Sequence, residues 1–223
     1  MIDSHCHITH GAFDLDRDLV IQNSKRELRA IITCASSLDE LKFALKLSEK
    51  YPKFIHVTAG IHPVDAAEMS NEEFEEFLSF IELNKDKIVG IGEVGLDYKY
   101  ERIWDKQLRV FNEMLHMAEK LDLPVIIHSR GTTAQIVEML PSFNLKKVLL
   151  HWFSNPISVL PKVVENGYYI TEGPPTAYSN GIREVVKRIP LANLLTETDG
   201  PVRYWKNPFK GKRTTPAFIP TVV

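Results

Sequence analysis

The sequence predicts an α/β chain folded as a TIM-type (β/α)8 barrel, and three observations carry that prediction. Eight short β-rich runs alternate with helical patterns along the chain. Several runs are apolar throughout, such as Val125-Ile126-Ile127 and Val148-Leu149-Leu150, which suits strands covered on both faces of a parallel sheet. The polar exceptions, His5, His7, Glu93, His128, His151 and Asp199, all sit at C-terminal ends of runs. In a barrel those ends converge on one mouth. In a doubly wound open sheet, the alternative, the first and eighth strands need not meet.

The strand candidates are residues 2–7, 30–35, 54–61, 88–93, 124–128, 148–152, 168–171 and 194–198. Between them lie apolar stripes at helical spacing. A weaker pattern covers 16–27, and Leu38, Leu41 and Leu45 mark one face. Phe74, Phe77, Leu78 and Ile81 mark the next, with Ser70 and Glu73 as its capping box. Leu108, Phe111, Leu115, Ala118 and Leu121 recur at the same spacing, and a weaker helix covers 133–140. Ile157, Leu160, Val163 and Val164 follow Asn155-Pro156, an N-cap and a first-turn proline, and Gly167 ends that helix. Ile182, Val185, Val186 and Ile189 form a last stripe, stopped by Pro190.

After Asp199 only 24 residues remain, with Pro201, Pro208, Pro216 and Pro220 and no helical stripe. The eighth helix is therefore expected to be missing or incomplete. The outer faces of the eighth and first strands would then be partly uncovered. The apolar tail 218–223 would cover some of that gap, and either self-association through this C-terminal side or lowered stability relative to longer relatives is the expectation. A shortened form of a longer natural chain is the alternative.

With 223 residues, 44% hydrophobic and 25% charged, the chain can bury a sizeable core. No linker, repeat or low-complexity segment precedes residue 200, so one barrel domain over 1–223 is expected. A net charge of −2 gives no global attraction to nucleic acid or an acidic membrane, so any positive field is local. Cys6 and Cys34 fall inside apolar runs and read as reduced core residues. No charged leader and apolar segment precede the first motif, and no run approaches membrane-spanning length. A cytoplasmic protein without membrane contact is the expectation.

The first stretch, Asp3-Ser4-His5-Cys6-His7, holds two imidazoles at i and i+2. On a strand they face the same side and suit one metal ion. Alone, each histidine is more often a hydrogen-bonded structural residue, Glu93 a loop cap and Asp199 a turn residue. Six metal-competent residues at strand ends outweigh those separate readings. Four imidazoles and two carboxylates exceed the needs of one four-coordinate ion. A carboxylate can bridge two ions, so the arithmetic favours a binuclear centre. One ion would take His5, His7 and Asp199, the other His128 and His151, with Glu93 between them.

The chain resembles the TatD-like metal-dependent deoxyribonucleases of the amidohydrolase superfamily. The resemblance rests on Asp3-Ser4-His5-Cys6-His7, Gly60-Ile61-His62-Pro63, Gly92-Glu93-Val94-Gly95-Leu96-Asp97, His128-Ser129-Arg130, His151-Trp152-Phe153-Ser154 and Glu197-Thr198-Asp199-Gly200-Pro201. These occur in the family's order, from the first residue to about Pro201. It implies a barrel, two divalent metal ions and hydrolysis of phosphodiester bonds, typically in DNA. By motif it carries the ligands to His5, His7, Glu93, His128, His151 and Asp199, and places His62 near the scissile phosphate. Two departures bear on substrate preference. Trp152-Phe153-Ser154-Asn155 stands where the family commonly has Cys and then Phe-Ser-Gly, and the loop 171–180 contains Pro174-Pro175.

On this reading the catalytic residues are Glu93, as bridge, and Asp199, as ligand and general base toward a water whose pKa the ions lower. His62 and Arg130 would hold non-bridging oxygens, a guanidinium fork matching phosphate geometry; an ion pair at the mouth is the alternative for Arg130. Arg203, Lys206, Lys210, Lys212 and Arg213 interleave with Tyr204, Trp205 and Phe209. Phosphates would pair with these bases and a nucleobase would stack on Trp205, whereas a solvated basic loop is the alternative. The expected partner is DNA, as a single strand or a strand end. Imidazole suits zinc, and carboxylate-rich sites also take manganese or magnesium. Two other functions compete. One is hydrolysis of small phosphoesters, lactones, amides or an aminoacyl-RNA ester on the same centre. The other is metal binding without turnover.

Overall fold

A computed structural model describes residues 1–154 and 156–223. The strands are β1 (Ile2–Cys6), β2 (Ala30–Ala35), β3 (Ile55–Ala59), β4 (Gly90–Asp97), β5 (Val125–Arg130), β6 (Val148–Leu150), β7 (Tyr169–Glu172) and β8 (Leu194–Thr196). All are parallel, and each lies beside its neighbours in the chain. The expected barrel forms, nearly closed. Its last seam is made largely by single bonds and one side chain. Thr196 Oγ1 donates to Ile2 O at 2.8 Å, Asp199 N to His5 O at 3.0 Å and His7 N to Gly200 O at 2.7 Å. The Asp3 carboxylate accepts from Thr198 N at 3.0 Å and Thr198 Oγ1 at 2.5 Å.

Helices α1 (Arg17–Ser24), α2 (Leu38–Lys50), α3 (Asn71–Leu83), α4 (Trp104–Leu121), α5 (Thr133–Met139), α6 (Leu160–Glu165) and α7 (Asn180–Arg188) surround the strands. The capping box at α3 is complete: Glu73 N donates to Ser70 Oγ at 3.1 Å, and Ser70 N to Glu73 Oε2 at 2.8 Å. Gly167 follows α6 at φ +67°, a left-handed turn that a side chain rarely adopts. The expected N-cap Asn155 lies outside the described residues. Among those described, α6 is preceded by a 3₁₀ turn at Ile157–Val159.

Alternation assigns the layers. Val125, Ile127, Val148, Leu150 and Ile170 face outward onto Phe111, Leu115, Val163 and Val185 of the helices. Ile126, Leu149 and Cys34 fill the barrel interior with Ile32 and Tyr169. No eighth α-helix follows β8 among the described residues; a 3₁₀ segment, Pro216–Thr221, takes its place. Its Ile219 is fully buried in a cluster with Cys6, Ile8, Phe13, Val20 and Ile21. The tail thus covers part of the expected gap, while Ile2 and Leu195 stay 44% and 38% exposed. No helix among the described residues is long and apolar enough to cross a membrane.

Glu172 is an anomaly in this packing. It shares the outward face of β7 with Ile170, is buried, and neither carboxyl oxygen has a hydrogen-bond partner. Burial, and then the charge of Glu197, push its pKa up to about 9. A carboxyl raised in the folded state binds protons that the unfolded chain has released. Its contribution to stability is therefore present in acid and is lost as pH rises toward 9. Glu172→Gln removes that dependence. The variant is expected to gain on the parent by about 1.4 kcal/mol per pH unit above pH 5, reaching about 3 kcal/mol near neutrality. Denaturant titrations at pH 5, 7 and 8.5 measure this, and parallel pH profiles for the two proteins would contradict it.

Candidate metal centre

The site forms where the strand ends curl into the barrel mouth. Strand β4 is longer than its sequence pattern suggests, because it continues past Glu93 to Asp97. Its register against β5 shifts between Ile91 and Val94, and Gly92 makes that shift possible. Gly92 has φ +148°, and a Cβ there would lie 2.7 Å from Ile126 Cβ. His7 and Asp199 lie just beyond β1 and β8, and Asp199 takes a left-handed φ of 49°.

All six proposed ligands come together. His5 Nε2 and His7 Nε2 are each 3.4 Å from Asp199 Oδ1, and lie 3.4 and 3.5 Å from Glu93 Oε2. The other Glu93 oxygen, Oε1, is 2.8 Å from both His128 Nδ1 and His151 Nε2, which are themselves 3.5 Å apart. Glu93 therefore offers one oxygen to each pair of imidazoles. Two donors bound at ~2.1 Å to one ion stand roughly 3.0–3.4 Å apart, close to these separations. His5 Nε2 is buried and has no hydrogen-bond partner, although it aims at both carboxylates. Donor chemistry and this unpartnered nitrogen both fit divalent cations. His5, His7 and Asp199 form one group able to hold an ion, and His5, Glu93 and His151 another.

The far sides of three imidazoles are held as metal-ligating histidines require. His5 Nδ1 lies 3.2 Å from Cys34 Sγ, which accepts from Thr58 Oγ1 at 3.0 Å. His128 Nε2 lies 2.9 Å from Asp97 Oδ2. His151 Nδ1 faces Glu197 Oε2 at 3.5 Å, and Thr171 Oγ1 donates to that same oxygen at 2.5 Å. With an ion bound, the carboxylates facing His128 Nε2 and His151 Nδ1 would favour a proton on that remote nitrogen and leave the lone pair toward the centre. Both cysteines are free and buried, as expected, but Cys34 also lines the cavity against His5.

Electrostatics agree with this division. Burial opposes ionisation of Glu93 and Asp199, but the surrounding imidazoles outweigh it and hold both carboxyls well below their ordinary range. Burial likewise lowers His7, yet the hydrogen bond to Asp199 and the nearby carboxylates raise it to about 9. In the metal-free protein, protons occupy the places between carboxylate and imidazole. A divalent ion must displace them, so its affinity rises with pH.

His62 behaves differently. Burial, helped by the neighbouring histidines, lowers its pKa to about 4, so it is neutral. Its Nδ1 accepts from Val64 N at 3.1 Å, which leaves the proton on Nε2, 3.8 Å from Glu93 Oε1. That tautomer makes His62 a donor into the cavity. It sets His62 apart from the ligands, although His62, Asp97 and His128 also cluster closely. Arg130 grips Asp97 with a fork: Nε to Oδ1 at 2.9 Å and Nη2 to Oδ2 at 2.6 Å. It is the ion pair at the mouth that the sequence left open, and it remains 51% exposed and lines the cavity.

The cavity over the cluster measures about 1350 Å³ and is also lined by Trp152, Arg203 and Trp205. The basic segment does not enter it as a unit. Arg213 pairs with Asp16 at 2.5 Å and lies over Phe13, while Tyr204 and Phe209 are buried. Trp205 is 63% exposed at the rim. Asp97, Glu197 and Cys34 received no role from the sequence. Counting by twos from Glu93 along an extended strand would have reached Asp97.

A barrel that gathers imidazoles and carboxylates at its C-terminal mouth in this way has the arrangement that metal-dependent hydrolases use. The family model of the TatD related DNases matches residues 2–223, and the chain belongs to that family. It is 34% identical to the metal-dependent hydrolase YabD of Bacillus subtilis, over 98% of this chain and 87% of that one. Deoxyribonuclease TATDN3 of Homo sapiens is 32% identical over 90% of this chain and 78% of the human protein. The crystal structure of YjjV, the TatD homolog from Escherichia coli, aligns with a TM-score of 0.91 at 30% identity, covering 100% of this chain and 87% of YjjV.

Proposed function

We propose that the chain hydrolyses phosphodiester bonds of DNA on a binuclear divalent-metal centre. The observation that carries this is the split of Glu93, one oxygen on the His5–His7 side and the other between His128 and His151. His5, His7 and Asp199 would hold one ion, His128 and His151 the other, and Glu93 both. When bound, the ions supply positive charge to the phosphoryl oxygens and lower the pKa of a water. Asp199, an ionised carboxylate in the metal-free protein, accepts the proton of the attacking water at Oδ. The His62 Nε2–H and the exposed edge of Arg130 hold non-bridging oxygens, and Trp205 offers a stacking face at the rim. Arg130 and Arg203 line the mouth as the cations available to phosphates, a small local set that suits a single strand or a strand end better than a long duplex.

Metal-replete protein is expected to contain two divalent ions per chain by elemental analysis, and one or none would count against the binuclear reading. End-labelled single-stranded DNA, incubated beside a small chromogenic phosphodiester, tests the substrate. Progressive shortening from one end is the expected result. Cleavage of the small ester with DNA untouched would shift the function to small phosphoesters.

A further inference from the structure

Trp152 directly follows the ligand His151 and lines the same cavity as Glu93, His128 and Asp199. Its backbone has φ 42°, in the left-handed region that a bulky side chain rarely occupies. Such a conformation persists only where the surroundings fix it, and it gathers at functional positions. Here Thr171 fixes it. Trp152 N donates to Thr171 Oγ1 at 3.0 Å, and Phe153 N donates to Thr171 O at 3.2 Å. The ring is fixed as well. It meets Tyr204 at 5.6 Å between centroids and 62° between planes, and Tyr204 is itself buried, with its hydroxyl donating to Thr198 O at 2.9 Å.

Trp152 thus begins an aromatic arc that runs outward through Tyr204 and Tyr178 to Trp205, with centroid steps of 6.5 and 6.4 Å after the first. A ring serving packing alone would be sealed as Tyr204 is, and glycine would suit the backbone better. Instead a large flat surface is only partly buried, beside the cation ligands and facing an open cavity.

We propose that Trp152 is the platform on which the nucleobase next to the scissile phosphate stacks, and that it sets this chain's preference for substrates bearing a base there. The proposal rests on the phosphodiesterase reading for its substrate. Trp205 then serves a base farther out.

The test compares parent, Trp152→Ala and Trp152→Phe on a single-stranded oligothymidylate and on a chain of equal length made of abasic tetrahydrofuran phosphodiesters. Trp152→Ala is expected to raise KM for oligothymidylate about tenfold, the scale of one base stacked on an aromatic ring, with little change in kcat. KM for the abasic chain should stay put, and Trp152→Phe should restore most of the affinity. An equal rise on both chains, or none on oligothymidylate, would overturn the proposal. Fluorescence quenching by thymidine 5′-monophosphate separates the two readings. Should the parent cleave neither chain, the phosphodiesterase reading fails. Quenching present in Trp205→Phe and lost in Trp152→Phe/Trp205→Phe would still support base stacking, and quenching unchanged by that second substitution would refute it.

Discussion

Glu93→Ala is expected to keep the barrel but lose both ions, with hydrolysis falling by roughly three orders of magnitude or more. Among the described residues, Glu93 approaches all four imidazoles proposed as ligands, at 2.8, 2.8, 3.4 and 3.5 Å. Without it the imidazoles face one another with no shared anion, and neither group retains its full donor set. Glu93→Gln should do little better, since it keeps the shape but not the charge. Elemental analysis beside a rate measurement decides the matter. Full metal content and near-parent activity in Glu93→Ala would remove Glu93 from its bridging role.

Asp199→Asn is expected to fold normally and to lose turnover by roughly 10²–10⁴-fold. Asparagine tolerates the left-handed backbone that Asp199 adopts at φ 49°, so the loop after β8 should survive. What disappears is the charge beside His5 and His7 and the ability to take a proton. The measurement is kcat across pH 5–9 with saturating metal, together with a circular dichroism spectrum matching the parent. Near-parent turnover at neutral pH would sink Asp199 as the base.

The barrel and the gathering of six metal-competent side chains at its mouth could be read from sequence because both depend on local, periodic signals. Apolar runs such as Val125-Ile126-Ile127 mark strands, and metal-competent side chains at their ends mark the mouth. The supporting residues were harder to see. The apolar run ends at Glu93 in sequence, with Gly95 just beyond it, so Asp97 falls outside the expected fourth strand. In the fold, a Cβ at Gly95 would overlap the His128 carbonyl oxygen, so glycine there permits close pairing of β4 and β5 instead of ending a strand. The basic segment erred in the other direction. Composition marks five cations and three aromatics but not their direction, and Arg213, Tyr204 and Phe209 turn inward. Trp152 stood in view as a departure from the family pattern, but its left-handed backbone is a property of the loop.

The seam between β1 and β8 has a consequence in time. Asp3 and Thr198, joined by two hydrogen bonds, lie 195 positions apart, and the proposed ligands His5 and Asp199 flank that join. Contacts this distant in sequence form late and slowly, since most of the chain must order before its ends can meet. On a ribosome, the histidines of the first strand are made well before the last carboxylate and wait for it. The proposed metal centre therefore cannot be completed before nearly the whole barrel has been synthesised, and a nascent chain halted short of Thr198 carries most of the proposed ligands without Asp199.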